Sequence, residues 1–384
     1  MPDHRTRAAV VALFFTHGFL FASWTAHIPH VKEHLHLSDG SLGIALLGAP
    51  LGSVLAMALA ARLLARFGSR WLVRVGLVGY CLTGPLVGLS ASPVTFFAAF
   101  LIWGAFQGAL DVSMNTQAIS VEGRSGRSLM PGFHGSWSMG SLVGAGVGVL
   151  GVGVGWSLSA QLLVLAVPCL FIVGWLTTRM IPDQPVLGAT SRQAGTGRRG
   201  ILHGAIVVLG TIAFVDMLCE GAVADWAAVY LRGSLHATAV IAGLGYAVYL
   251  LMMMSVRLVG NRLMSRFPVQ SVIPLLAAVA TIGLAAALTI NRPAAVLVGF
   301  SCLGAGLALV VPIVFSACGR LRDLHAGRAV ATVSACGWTG FVLGPPLIGG
   351  LATLTSLRTA LFLLPLLTAV VAVATATATV LRSA

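Results

Sequence analysis

Apolar residues run in long, nearly unbroken blocks along the whole chain, and polar residues are confined to short gaps between them. Twelve blocks are legible, at 8–28, 41–64, 71–91, 95–119, 129–152, 156–178, 201–224, 236–258, 270–290, 294–317, 329–352 and 357–381. Crossing a ~30 Å hydrocarbon layer takes about 20 residues of helix, and each block reaches that length. A backbone surrounded by lipid must satisfy its own N–H and C=O groups, so every block is predicted to be a helix. The fifth and sixth are almost continuous. Their division is placed at Gly151-Val152-Gly153-Val154-Gly155, where the glycine density best tolerates a turn. The first block follows Asp3, Arg5 and Arg7 and is too long for a signal-peptide core, so it is expected to be a retained helix.

Composition agrees with this pattern. Hydrophobic residues make up 58% of the chain and charged residues 9%, against about 25% charged in soluble domains. The net charge of +13 invites a nucleic-acid reading, but its distribution argues against one. With the N-terminus inside, 19 of the 23 Lys and Arg fall on the cytoplasmic side, from Arg5 and Arg7 through Arg62, Arg124, Arg179, Arg257 and Arg320 to Arg382. Only Lys32, Arg232, Arg292 and Arg358 fall in the opposite gaps. That asymmetry is the positive-inside signature and predicts a cytoplasmic-membrane protein with both termini in the cytoplasm. The basic charge is expected to meet anionic lipid, with no nucleic acid as partner. All six cysteines lie within or at the ends of blocks at no metal or redox spacing, and are read as small packing residues. No P-loop, HExxH zinc motif or Gly-x-Ser-x-Gly elbow is visible, so no enzyme activity, cofactor or metal is expected.

The second half repeats the first at an offset of about 200 residues. Arg62-Leu63-Leu64-Ala65-Arg66-Phe67 returns as Arg262-Leu263-Met264-Ser265-Arg266-Phe267. Gly104-Ala105 matches Gly304-Ala305, Gly140 and Gly144 match Gly340 and Gly344, and Ser23-Trp24-Thr25-Ala26 echoes Asp225-Trp226-Ala227-Ala228. Several matches in register predict an all-α membrane protein of two pseudo-symmetric six-helix bundles, 1–178 and 201–384, joined by a cytoplasmic linker at 179–200. Paired six-helix repeats are the architecture of alternating-access transporters, whose solute site lies near the midplane between the halves.

The stretch Ala61-Arg62-Leu63-Leu64-Ala65-Arg66-Phe67-Gly68-Ser69-Arg70 resembles the cytoplasmic loop motif of the major facilitator superfamily, with Ala65 where that motif usually has an acid. Gly108-Ala109-Leu110-Asp111-Val112-Ser113-Met114-Asn115 is similar to the fucose–proton symporter branch. Ala22-Ser23-Trp24, Glu220 through Trp226 and Gly344-Pro345-Pro346 resemble the YbjJ-type bacterial branch. The resemblance implies the twelve-helix major facilitator fold and solute transport. It also implies a gating part for Arg62, Arg66 and Arg70 and a proton-coupling part for Asp111. The acid that the symporter branch carries on its first helix has no counterpart in Ala22-Ser23-Trp24-Thr25.

The polar residues inside the blocks then gain meaning. Asp111 lies about sixteen residues into the fourth block. A carboxylate at that depth costs at least ~2.5–3.5 kcal/mol, so it should face the bundle interior, a partner or water. Gln107, Asp111 and Asn115 fall at i, i+4 and i+8 and share one helical face. Desolvation favours a protonated carboxyl, which suits proton release on a change of state. A structural hydrogen bond to a neighbouring helix is the competing reading. His17, about nine residues into the first block with Trp24 two turns further on, is a second proton-coupling candidate that takes the place of the missing acid. Against that stands a neutral histidine satisfied by a backbone carbonyl.

Asp216 and Glu220 again stand at i and i+4, Glu220 as a proton-coupling candidate and Asp216 as a gating one, with Asp225 expected to cap or pair at the rim, for instance with Arg232. A break of the seventh helix near Gly221 would suit gating. His134 and Glu122 are inner-gate candidates, although simple interface exposure competes for His134. Gln107, Asn115, Trp24, Trp137, Trp226 and Trp338 are the candidate solute contacts, since amides with indoles offer donors and stacking faces to a small polar or sugar-like molecule. For the indoles, core packing is the alternative. Gly344-Pro345-Pro346 is expected to bend the eleventh helix. The functional expectation is a monomeric, proton-coupled secondary transporter whose partners are a small organic solute, protons and the lipid bilayer. Proton-antiport export of an amphiphilic drug or metabolite is the alternative, and a non-transporting membrane sensor is the remote one.

Overall fold

The computed structural model describes residues 4–125, 129–182, 199–319 and 326–377. Most of the predicted linker, together with Arg127, Arg192, Arg198, Arg320, Arg322 and Arg382, lies outside the described residues. The described chain is helical with short turns: α1 (His4–Ser23), α2 (Ile28–His34), α3 (Asp39–Leu46), α4 (Gly48–Phe67), α5 (Ser69–Val87), α6 (Pro93–Ser125), α7 (Met130–Gly153) and α8 (Leu158–Leu176). These are followed by α9 (Arg199–Val229), α10 (Ala239–Arg266), α11 (Val269–Ile290), α12 (Pro293–Leu307), α13 (Val310–Gly319), α14 (Ala326–Leu354), α15 (Leu357–Leu361) and α16 (Leu363–Thr377).

Among the described residues, 11 segments are long and apolar enough to cross a membrane. The remaining block, the third, is α5, a helix of 19 residues whose first turns carry Arg70 and Arg74 and so fall short on hydropathy. The division of the fifth and sixth blocks falls within the predicted glycines: α7 ends at Gly153 and Gly155 adopts φ +77. The fourth helix runs on past its block to Ser125.

Three blocks predicted as single helices are broken in two, at Leu47, at Ala308–Leu309 and at Phe362. Pro50, Pro312 and Pro365 explain the breaks. Each lacks an N–H, so the carbonyl four residues earlier, at Leu46, Ala308 and Leu361, receives no helical bond. Pro29 stands in the same relation to Thr25, where α1 gives way to a 3₁₀ turn at Thr25–His27. Pro85, Pro168, Pro274, Pro345 and Pro346 lie inside helices that remain unbroken. The seventh helix does not break at Gly221: α9 is continuous to Val229, and irregularity comes only in the π-turn at Tyr230–Ser234.

Contacts divide the chain into two compact units, Met1–Thr190 and Ser191–Ala384. In the first, α1 packs on α7, α4 and α5 pack on α6, and α5 packs on α8. In the second, α9 packs on α14, α10 and α11 pack on α12, and α11 packs on α16. The repeated glycines sit in equivalent seams. A Cβ on Gly104 would overlap the Ala49 carbonyl, and one on Gly304 would overlap the Tyr249 carbonyl. Likewise Gly140 lies against the Phe15 carbonyl and Gly340 against the Phe214 carbonyl. With no hydrophobic drive between helices in lipid, close approach of this kind supplies the packing attraction.

Candidate functional site

In the first unit the long helix α6 carries Gln107, Asp111 and Asn115 on one face, as the spacing predicts. Asn115 Nδ2 donates to the Asp111 main-chain oxygen at 2.9 Å and to Asp111 Oδ1 at 3.2 Å. Asp111 and Asn115 are half-buried and Gln107 is buried. The carboxyl of Asp111 therefore meets an amide donor, one turn along its own helix.

His17 is buried at 3% exposure on α1. Trp137 Nε1 donates to His17 Nδ1 at 2.9 Å across the α1–α7 seam. His17 Nε2 is buried without a hydrogen bond among the described residues, with the Gln107 main chain close by. The imidazole stacks on Tyr80, with ring centroids 5.8 Å apart, and Tyr80 stacks on Trp103 at 5.0 Å. Trp103 Nε1 donates to the Tyr80 carbonyl, while the Tyr80 hydroxyl is buried and unpartnered. Trp24 closes this aromatic run against Phe100 and Trp103, and its indole N–H also lacks a partner. His17 Nε2, Tyr80 Oη and Trp24 Nε1 are thus three buried polar atoms with no hydrogen-bond partner among the described residues. Native interiors leave few such atoms without water or ligand.

A second cluster occupies the other unit. Asp216 on α9 is 1% exposed, and among the described residues neither of its carboxylate oxygens makes a hydrogen bond. Glu220 stands one turn further along, and the Arg257 charge on α10 acts on both acids. Arg257 Nε donates to the Ala308 carbonyl at 2.9 Å, the group that Pro312 leaves without a helical bond. Tyr246 and Tyr249 stack at 6.0 Å with buried, unpartnered hydroxyls, within reach of the charge on Glu220. Arg257, one of the basic residues assigned to the cytoplasmic side, stands three residues before the end of a candidate span that runs from Ala239 to Gly260.

The remaining predicted residues are placed as follows. Trp226 is fully buried with an unpartnered N–H, and Trp338 is half-buried against Phe341. Glu122 Oε2 accepts the Leu129 N–H at the start of α7, a favourable place for negative charge at a helix N-terminus. His134 is exposed and meets Phe14 edge-on at 5.3 Å. Arg62 and Arg66 are exposed, Arg66 lying 5.2 Å from the Phe67 ring centroid. Arg70 Nη2 donates to the Thr178 carbonyl, which ties the loop motif to the end of α8. Asp225 is half-buried, and Arg232 donates to the Ala237 carbonyl.

Sequence reasoning missed several partners. Gln161, fully buried, donates to the Ser23 carbonyl at 2.7 Å and meets His27 Nε2 at 3.0 Å. Gln117, also fully buried, donates to Ser69 Oγ and to the Ile181 carbonyl. Tyr80, Tyr246 and Tyr249 were visible only as aromatic residues within apolar blocks. Among the described residues no group of three or more His, Cys, Asp or Glu is placed to hold a metal ion.

Comparison with known proteins supplies the family. The model of the Major Facilitator Superfamily matches residues 9–322 and 209–383. An uncharacterized MFS-type transporter of Yersinia pestis is 35% identical over 351 residues, covering 90% of this chain and 89% of its own length. Membrane protein MosC of Rhizobium meliloti is 33% identical over 360 residues, covering 93% and 86%. Among solved structures, a D-xylose–proton symporter superposes with a TM-score of 0.74 at 16% identity over 97% of this chain and 98% of that one. The nucleoside transporter NupG gives 0.73 at 15% identity over 97% and 98%, and at such identities the likeness concerns the fold. With the two packed units, the membrane-length helices and the matched family model, the chain belongs to the Major Facilitator Superfamily and is a multi-pass membrane transporter of a solute.

Proposed function

We propose that this protein moves a small polar, sugar-like organic solute across the cytoplasmic membrane by alternating access, driven by the proton gradient. It works as a monomer with both termini cytoplasmic and with functional halves at 1–178 and 201–384 joined by the linker at 179–200. The observation that carries the reading is the Asp111–Asn115 pair: a half-buried carboxyl inside a membrane span, held by an amide. Among the described residues no ion pair fixes that acid as a carboxylate. It is therefore suited to bind and release a proton as its surroundings change. His17 and Glu220 are the secondary proton-coupling groups.

The solute meets Gln107, Asn115 and the indoles, with His17 Nε2, Tyr80 Oη and Trp24 Nε1 as buried donors that make no hydrogen bond among the described residues. Unclaimed donors beside stacked rings favour a hydroxylated solute, because a site built from hydrogen-bonding groups discriminates against molecules that cannot pair with them. The test is transport by purified protein in proteoliposomes with labelled hexoses, pentoses and nucleosides, comparing wild type with Asp111→Asn. Proton-driven accumulation is lost in the variant while counterflow of the same label persists. Uphill accumulation by Asp111→Asn equal to wild type removes Asp111 from coupling.

A further inference from the structure

A groove of about 470 Å³ lies on the surface of the first unit, lined by Arg74, Val75, Val78, Leu82 and Thr83 of α5 and by Phe106 of α6. Its floor depends on Gly79. The Phe106 ring lies so close to the α5 backbone there that a Cβ on Gly79 would overlap it. Val78 and Leu82 are 42% and 59% exposed, so this face is not covered within the unit. The hydroxyl of Thr83 is satisfied by the Gly79 carbonyl at 2.7 Å, leaving the groove apolar along its length.

One end is different. Arg74 is exposed and donates through Nε to Thr177 Oγ1 at 3.1 Å, and Arg70, one turn earlier, donates through Nη2 to the Thr178 carbonyl. Neither guanidinium is ion-paired among the described residues. Trp71, next to Arg70 in the chain, and Trp175, two residues before Thr177, are both exposed, and Arg179 stacks over Trp175 at 5.6 Å. Exposed indoles with arginines mark the height of the lipid headgroups. A charge at the margin of the hydrocarbon needs a counter-charge or a path to the interface.

We propose that this groove is a binding site for an anionic phospholipid, with one acyl chain along Val78 and Leu82 and the phosphate on Arg74 and Arg70. The occupant must be an amphiphile with one long apolar part and a negative head, and in a bilayer that is an anionic phospholipid. A second copy of the chain is a poor occupant. A twofold axis along the membrane normal would set the two arginine pairs against each other.

The test is native mass spectrometry of the full chain released from nanodiscs containing equal parts of phosphatidylglycerol and phosphatidylcholine. Wild type retains phosphatidylglycerol preferentially, and Arg74→Gln lowers that preference about five-fold, the effect expected for one basic group at a membrane surface. Arg74→Lys restores most of it. Val78→Trp fills the groove and lowers retention with both arginines intact. Thr177→Val, which removes the protein partner of Arg74 and keeps its charge, retains the lipid, as does the double variant Arg62→Gln/Arg66→Gln. Equal retention of both lipids by wild type overturns the proposal. So does unchanged retention by Arg74→Gln, or a dimer that replaces the lipid and dissociates in Val78→Trp.

Discussion

Replacing Trp137 by phenylalanine removes one N–H and leaves an aromatic ring in place, and its effect on His17 follows from donor arithmetic. Trp137 Nε1 can only donate, so the His17 Nδ1 it meets at 2.9 Å must accept. A neutral His17 therefore carries its proton on Nε2, the buried atom with no partner. Losing the indole bond costs roughly 0.5–1.5 kcal/mol, and an orphaned Nδ1 in so enclosed a place adds roughly 1–3 kcal/mol. The imidazole can relieve the second cost by shifting its proton to Nδ1. A bond of about 1 kcal/mol biases the two tautomers about five-fold, so its removal changes their ratio by that factor. The assay is nitrogen NMR of protein labelled with 15N-histidine in nanodiscs, the His17 signal being assigned by its loss in His17→Gln. Wild type shows the Nε2–H form, and Trp137→Phe shows a mixture. Finding His17 protonated on Nδ1 in wild type, or an identical tautomer in the variant, refutes the assignment. With it would go the claim that Nε2–H is a donor held ready for solute.

Two further outcomes concern assembly. Gly140→Val drives a branched side chain into the Phe15 carbonyl and separates α1 from α7, so monodisperse protein on fluorescence-detected size exclusion falls sharply; overpacking of this kind costs about 1–3 kcal/mol or more. Gly146→Ala, where a Cβ meets nothing within 4 Å, runs as wild type. Gln161→Leu removes the bond to the Ser23 carbonyl and the partner of His27, with roughly 1–3 kcal/mol lost for each buried group left unsatisfied. The apparent melting temperature in detergent therefore drops by several degrees, and an unchanged value would show that water replaces the amide.

What the sequence disclosed depended on whether the feature was local in the chain. The Asp111–Asn115 contact was legible because both partners lie on one helix, four residues apart, and helical periodicity aligns them without knowledge of any neighbour. The repeated glycines were legible as repeats. Their chemistry was not, because the carbonyls of Phe15, Ala49, Phe214 and Tyr249 that they admit have no distinguishing side chain. Gln161 and His27 stand 134 residues apart, and nothing in either helix marks the pairing. Hydropathy was equally blind to the breaks at Leu47, Ala308 and Phe362, since the residues on both sides are apolar.

The breaks nevertheless had a cause written in the chain, and one of them bears on function. Pro312 denies the Ala308 carbonyl its helical donor, and that carbonyl takes the Nε–H of Arg257 from the neighbouring α10. An arginine inside a membrane span would otherwise draw towards the nearest interface. Tied to a fixed backbone oxygen, it stays where its charge acts on Asp216 and Glu220. The kink in the tenth block and the acid–base cluster of the second unit are therefore one feature. A proline without an N–H makes the anchor, the anchor holds the cation, and the cation gives the buried Asp216 and the half-buried Glu220 on α9 a partner in charge that α9 does not supply alone.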